Sequence, residues 1–157
     1  WSLNIPEAAD PTGGGLSKYN GVAINKDYAS DNAKFTAAKV REVATKHKPI
    51  GCDTPRATVD HELGHEIDKL LGAANDPEIN DLYNKMMRSE MRSTMKYKEM
   101  FDDARPAKDV LSEYSKKDVK EFIAECYSEY RNNPQPREYS TKVYQRLKYL
   151  YSQRKVN

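Results

Sequence analysis

The chain has 157 residues, 38% apolar and 32% charged, and its 26 basic and 24 acidic side chains leave a formal charge of +2. That length supports one domain with a real hydrophobic core but not comfortably two. A mean hydropathy of −0.93 and the lack of any run of roughly 18 apolar residues exclude a membrane-spanning helix, and the balanced charge gives no reason to expect a polyanionic partner.

Residues 1–20 carry Pro6, Pro11 and the run Gly13-Gly14-Gly15 without sustained periodicity. They read as an irregular arm or linker, and residues 21–157 as the domain proper. The chain begins at Trp1 with no basic-apolar leader, so the expectation is a domain fused to a longer parent chain. In GVAINKDY, residues 21–28, Val22 and Ile24 alternate with small or polar neighbours, the one strand signal in the chain.

Helical patterns follow. Ser30 and Asp31 supply N-cap chemistry to a segment whose inner face would hold Val40, Val43, Ala44 and His47. Thr54-Pro55 opens a second helix, in which Val59, Leu63, Ile67, Leu70 and Leu71 form an apolar stripe and Gly72 stands at the C-cap. A third begins near Asp76-Pro77, with Ile79, Leu82, Tyr83, Met86, Met87, Met91 and Met95 as a core-packing stripe. Pro106 interrupts the pattern in a polar loop around 101–108. Val119, Phe122, Ile123, Cys126, Tyr127 and Tyr130 mark a fourth helix, ended by Asn132-Asn133-Pro134, and Val143, Leu147 and Leu150 a fifth over about 139–151. Cys52 and Cys126 are too few for a disulfide framework and are expected as free buried thiols. The expected fold is α+β and predominantly helical, with a small β element beside the second helix.

That second helix contains His61-Glu62-Leu63-Gly64-His65, an H-E-x-x-H motif. Residues four apart lie about 40° apart around a helix, so His61 and His65 can aim two imidazoles at one ion. Glu62 can lean over an open coordination position, and Gly64 lets another segment approach closely. With only three histidines in the chain, about 0.004 chance occurrences of the motif are expected. A catalytic zinc site takes three protein ligands and leaves a fourth position open. His47 is a poor third ligand, and no histidine follows the motif, so a carboxylate or thiolate must serve. Glu121 and Glu125, four apart on the fourth helix, share a face. One can bind the metal while the other accepts a hydrogen bond from a ligand histidine.

HELGH at 61–65 followed by YSKKDVKEFIAE at 114–125 resembles the gluzincin peptidases of the anthrax lethal factor type, a group that includes small secreted proline-directed endopeptidases. The resemblance covers about residues 54–130 and extends to peptidase domains fused to phage minor head proteins or bacterial toxins. It implies a zincin-like fold and one Zn²⁺ held by His61, His65 and Glu121, with Glu125 supporting the site. It further implies Glu62 as general base, Tyr114 as oxyanion donor and a protein or peptide substrate, while the localisation stays open. Beside the motif helix, the edge of the strand at Val22, Ala23 and Ile24 could pair with an extended peptide, or the strand could simply cover the core. The rival reading is a non-catalytic, metal-stabilised interaction module. Against nucleic-acid binding by Lys142, Arg146, Lys148, Arg154 and Lys155 stand the near-neutral overall charge of +2 and the absence of a recognised reader motif.

Overall fold

The computed structural model describes Lys26, residues 30–100 and residues 111–154, with the backbone alone over 90–100. Asp31 caps α1 (Asn32–Ala44) by accepting the Lys34 N–H at 2.9 Å. Thr54, in extended backbone, and Pro55 open α2 (Pro55–Leu71), which ends at Gly72 in the left-handed region, φ +65°. A 3₁₀ turn, Ala73–Asn75, leads into α3 (Pro77–Met100), where the Asp76 carboxylate accepts the Glu78 and Ile79 N–H groups, both at 3.1 Å. A second 3₁₀ turn, Tyr114–Lys116, precedes α4 (Val119–Asn132), and α5 (Glu138–Ser152) completes the described chain.

The helix α4 runs through the middle. Every residue from Glu121 to Cys126 is buried. One side carries Phe122, Ile123 and Cys126 into a core shared with Ile79, Leu82 and Met86 of α3 and with Val143 and Leu147 of α5. The other side lies along α2. The methionine stripe, where its side chains are described, is core packing: Met86 is fully buried and Met87 packs against the cluster.

Three expectations change. The inner face of α2 is not the apolar stripe but Ala57, Asp60, His61, Gly64 and Asp68. Ile67 and Leu71 still reach the core, whereas Leu63 is 38% and Leu70 52% exposed. The physical reason is that α4 offers α2 a face of small and polar groups that pair with it. Ser128 donates to the Ala57 carbonyl at 2.8 Å, and Asn132 to Asp60 Oδ2 at 2.9 Å. On α1 the buried residue is Phe35, Val40 is half exposed, and His47 lies beyond the helix end, exposed. This helix sits at the periphery with α2 as its main neighbour, so only one flank is covered.

The β element has no counterpart among the described residues, which form no strand. Of the segment 21–28 only Lys26 is described, with helical backbone; Val22, Ala23 and Ile24, the arm 1–20 and the loop around Pro106 lie outside the described residues. The fold is predominantly helical, and no described helix is long and apolar enough to cross a membrane. Cys52 and Cys126 are free and buried, as expected.

Candidate metal centre

Gly64 determines how closely α2 and α4 meet. A Cβ at that position would stand 2.7 Å from the Ala124 Cα, inside any normal contact, so glycine on α2 and alanine on α4 allow the two backbones to approach. At the N-terminus of α4 the Asp118 side chain accepts the Lys120 and Glu121 N–H groups at 2.9 Å each, which leaves Glu121 in the first turn. Its carboxylate then faces both motif histidines.

Glu121 Oε2 lies 3.3 Å from His61 Nε2 and 3.2 Å from His65 Nε2. The other oxygen, Oε1, takes a hydrogen bond from Lys117 Nζ at 3.0 Å. Among the described residues, Oε2 is one of two buried side-chain polar atoms that make no hydrogen bond; the other is His61 Nδ1. Ligands at zinc–nitrogen and zinc–oxygen distances of about 2.0–2.1 Å in a tetrahedron stand about 3.3–3.4 Å apart, so both separations match tetrahedral edges. Two imidazole nitrogens and a carboxylate oxygen, all within 4.8 Å of one another, are a borderline-hard donor set that suits zinc. An orphaned acceptor between two imidazoles is what a shared cation would satisfy.

His61 Nδ1 lies 2.7 Å from Glu125 Oε1, close enough for a charge-assisted hydrogen bond although the ring N–H is off line. A carboxylate on Nδ1 selects the tautomer whose lone pair is on Nε2, toward Glu121. Glu125 is fully buried and also receives Lys48 Nζ on Oε1 at 2.7 Å and Ser112 Oγ on Oε2 at 2.8 Å. Burial opposes ionisation of both glutamates. For Glu121 the contacts with His61, His65 and Lys117 prevail and hold the carboxyl well below the usual range. For Glu125 those with His61 and Lys48 prevail and lower its pKa. Burial works against the His61 cation, but the two carboxylates outweigh it and raise its pKa.

A cavity of about 250 Å³ opens beside His61, lined among others by Glu62, Tyr114, Lys48 and Glu125. The Tyr114 ring stands 5.9 Å from the His61 ring and 5.3 Å from that of His47. Burial and the Glu121 carboxylate raise its phenol above the ordinary value. Cys52 also lines this cavity, but burial pushes its thiol up to about 12, the reverse of what a nucleophilic cysteine needs. The structure thus gathers His65, Glu121, Glu125, Glu62 and Tyr114 around His61. His47 touches Tyr114 but is outside the donor cluster.

Sequence reasoning missed Lys48, which is 77 positions from its partner Glu125 and carries no motif. It also missed Glu129, fully buried one turn further along α4 and bound by Arg137 at 2.8 Å and Ser140 at 2.6 Å. The spacing Glu121, Glu125, Glu129 on a single helical face was the available signal. No protein-family model, curated protein or solved structure matches the chain.

Proposed function

We propose that this domain is a zinc-dependent endopeptidase with His61, His65 and Glu121 as the metal ligands. The observation that carries the reading is Glu121 Oε2, buried and without a hydrogen bond, at tetrahedral-edge distance from two imidazole nitrogens. His61, His65 and Glu121 would hold the zinc, which when bound would supply Lewis acidity toward water and a carbonyl. Glu62, on the cavity wall next to His61, takes the proton from the attacking water and returns it to the leaving amine. Tyr114 donates its hydroxyl to the oxygen that gains negative charge. Glu125 orients His61 through Nδ1. The substrate is a protein or peptide whose scissile bond enters the cavity.

The test joins two measurements. Zinc content of the purified domain is compared with that of Glu121→Ala and Glu125→Ala, and cleavage of a diverse peptide library with that of Glu62→Ala. The expected result is about one zinc per chain, lost with Glu121→Ala, and cleavage that Glu62→Ala abolishes while it keeps its zinc. Absence of zinc after reconstitution overturns the reading. Zinc without Glu62-dependent cleavage supports instead a metal-stabilised interaction module.

A further inference from the structure

The segment between α1 and α2 is bound to the segment before α4 by main-chain hydrogen bonds. Glu113 N donates to the Lys46 carbonyl at 2.9 Å, and Tyr114 N to that of His47 at 3.4 Å. Lys46 adopts φ +59°, a left-handed turn that a non-glycine residue takes only when its surroundings hold it there. The next side chain but one is Lys48. Its ammonium group, with 17% of the side chain exposed, reaches Glu125 Oε1 at 2.7 Å and lies 4.2 Å from the centre of the Tyr114 ring. Glu125 Oε1 is the same atom that approaches His61 Nδ1 at 2.7 Å. The remaining oxygen is held by Ser112 Oγ.

From this geometry we infer that Lys48 is a positioning residue of the metal centre, acting on His61 through Glu125 and clamping the Tyr114 ring by the same charge. The inference rests on the zinc-site reading above. A fully buried carboxylate needs a counter-charge and donors to stay in one place. Ser112 supplies a donor but no charge, and His61 is the group to be oriented, so the fixed cation falls to Lys48. A lysine ammonium over a tyrosine face is attracted by the ring quadrupole, which holds Tyr114 on the cavity wall. Lys117 sits on the ring as well, at 5.3 Å, but it is bound to Glu121 and largely solvated.

The experiment is a zinc-affinity titration against a chromophoric chelator, run on the whole chain. It compares wild type, Lys48→Met, Lys48→Arg, Glu125→Gln and the double variant Lys48→Met/Glu125→Gln. Lys48→Met weakens zinc binding about 10–100-fold, the usual loss when a group that orients a metal ligand is removed. Lys48→Arg, which keeps the charge, recovers most of it. Once Glu125→Gln is present, adding Lys48→Met changes affinity by less than about twofold, because the lysine acts through that carboxylate. The visible spectrum of the Co²⁺-loaded protein shifts in Lys48→Met and returns in Lys48→Arg. Wild-type affinity in Lys48→Met overturns the inference, as does a double variant in which the two losses multiply. If Lys48→Met alone fails to fold, judged by its helical circular dichroism, the arginine and double variants decide the matter. A wild type that takes up no zinc removes the metal reading and this inference together; wild-type binding with Lys48→Met unchanged removes only this one.

Discussion

Two cations approach Tyr114, Lys48 at 4.2 Å and Lys117 at 5.3 Å from its ring centre, with the His61 ring 5.9 Å away. Burial and the nearby Glu121 carboxylate raise its phenol pKa, so the hydroxyl stays protonated and able to donate at neutral pH. If it serves the oxyanion, Tyr114→Phe should lower kcat by about 10²–10³ on a cleaved peptide while zinc content is unchanged. An equal loss of zinc and activity would assign Tyr114 to the integrity of the site instead. Neighbouring Cys52 shows how position decides reactivity: it lines the same cavity, yet its Sγ meets Ser128 Oγ at 3.3 Å and burial suppresses the thiolate.

The α2–α4 pair is the element on which the site depends. Its contact face is polar and small rather than oily, with Gly64 against Ala124, Ser128 on Ala57 and Asn132 on Asp60. A methyl group at Gly64 would meet backbone, not the end of a flexible side chain, so the helices must separate. Alanine favours a helix over glycine by about 1 kcal/mol, but overpacking costs about 1–3 kcal/mol, so the clash prevails or at least cancels the gain. Gly64→Ala should therefore lose stability or gain none in urea unfolding of the zinc-free protein, and should bind zinc more weakly because Glu121 moves away from the histidines. Gly72→Ala is the control. Nothing lies within 4 Å of the added carbon there, and the cost is that of a left-handed backbone alone, about 1–2 kcal/mol, with zinc affinity retained.

Across the whole molecule, Asp76 links the turn after α2, the start of α3 and the side of α5. Besides capping α3, it accepts Arg146 Nε at 3.1 Å and Nη2 at 2.9 Å, and Arg146 Nη1 also meets Glu78 at 2.9 Å. Burial opposes its ionisation, but Arg146 and the Ile79 N–H prevail and lower its pKa. A carboxyl whose folded pKa is depressed contributes stability that is complete above its unfolded value, near 3.9, and lost as pH falls through the folded one. Asp76→Ala should cost about 1–2 kcal/mol at pH 7, the worth of a helix N-cap, and Asp76→Asn less, since asparagine still caps. Unfolding curves of wild type and Asp76→Asn should converge as pH drops below 4; parallel curves down to the acid limit would show that the charge of Asp76 carries no weight. The same pairing bears on the basic residues from α5 onward: Arg146 is engaged with Asp76 and Glu78, and Lys142 with Glu138 at 2.5 Å on the surface, so two of the five basic residues there are already paired with carboxylates.

Local chemistry was enough to read the helices and the two motif histidines from the sequence; it narrowed the third donor to Glu121 or Glu125, and the choice of Glu121 came from the family resemblance. Thr54-Pro55 and Gly72 bounded α2, Asn132-Asn133-Pro134 ended α4, and H-E-x-x-H with two glutamates four apart named the residues that the structure brings together. Those signals are encoded within a few positions of one another, where backbone sterics and helical spacing act directly. Which face of α2 turns inward was not legible, because its apolar stripe and its small polar face compete, and the choice depends on what α4 presents. Nor was the partnership of Lys48 with Glu125, which joins residues 77 positions apart. A lysine in a turn has no local signature of burial; only the packing of the α1–α2 segment against the approach to α4 takes its charge out of water and gives it a carboxylate to hold.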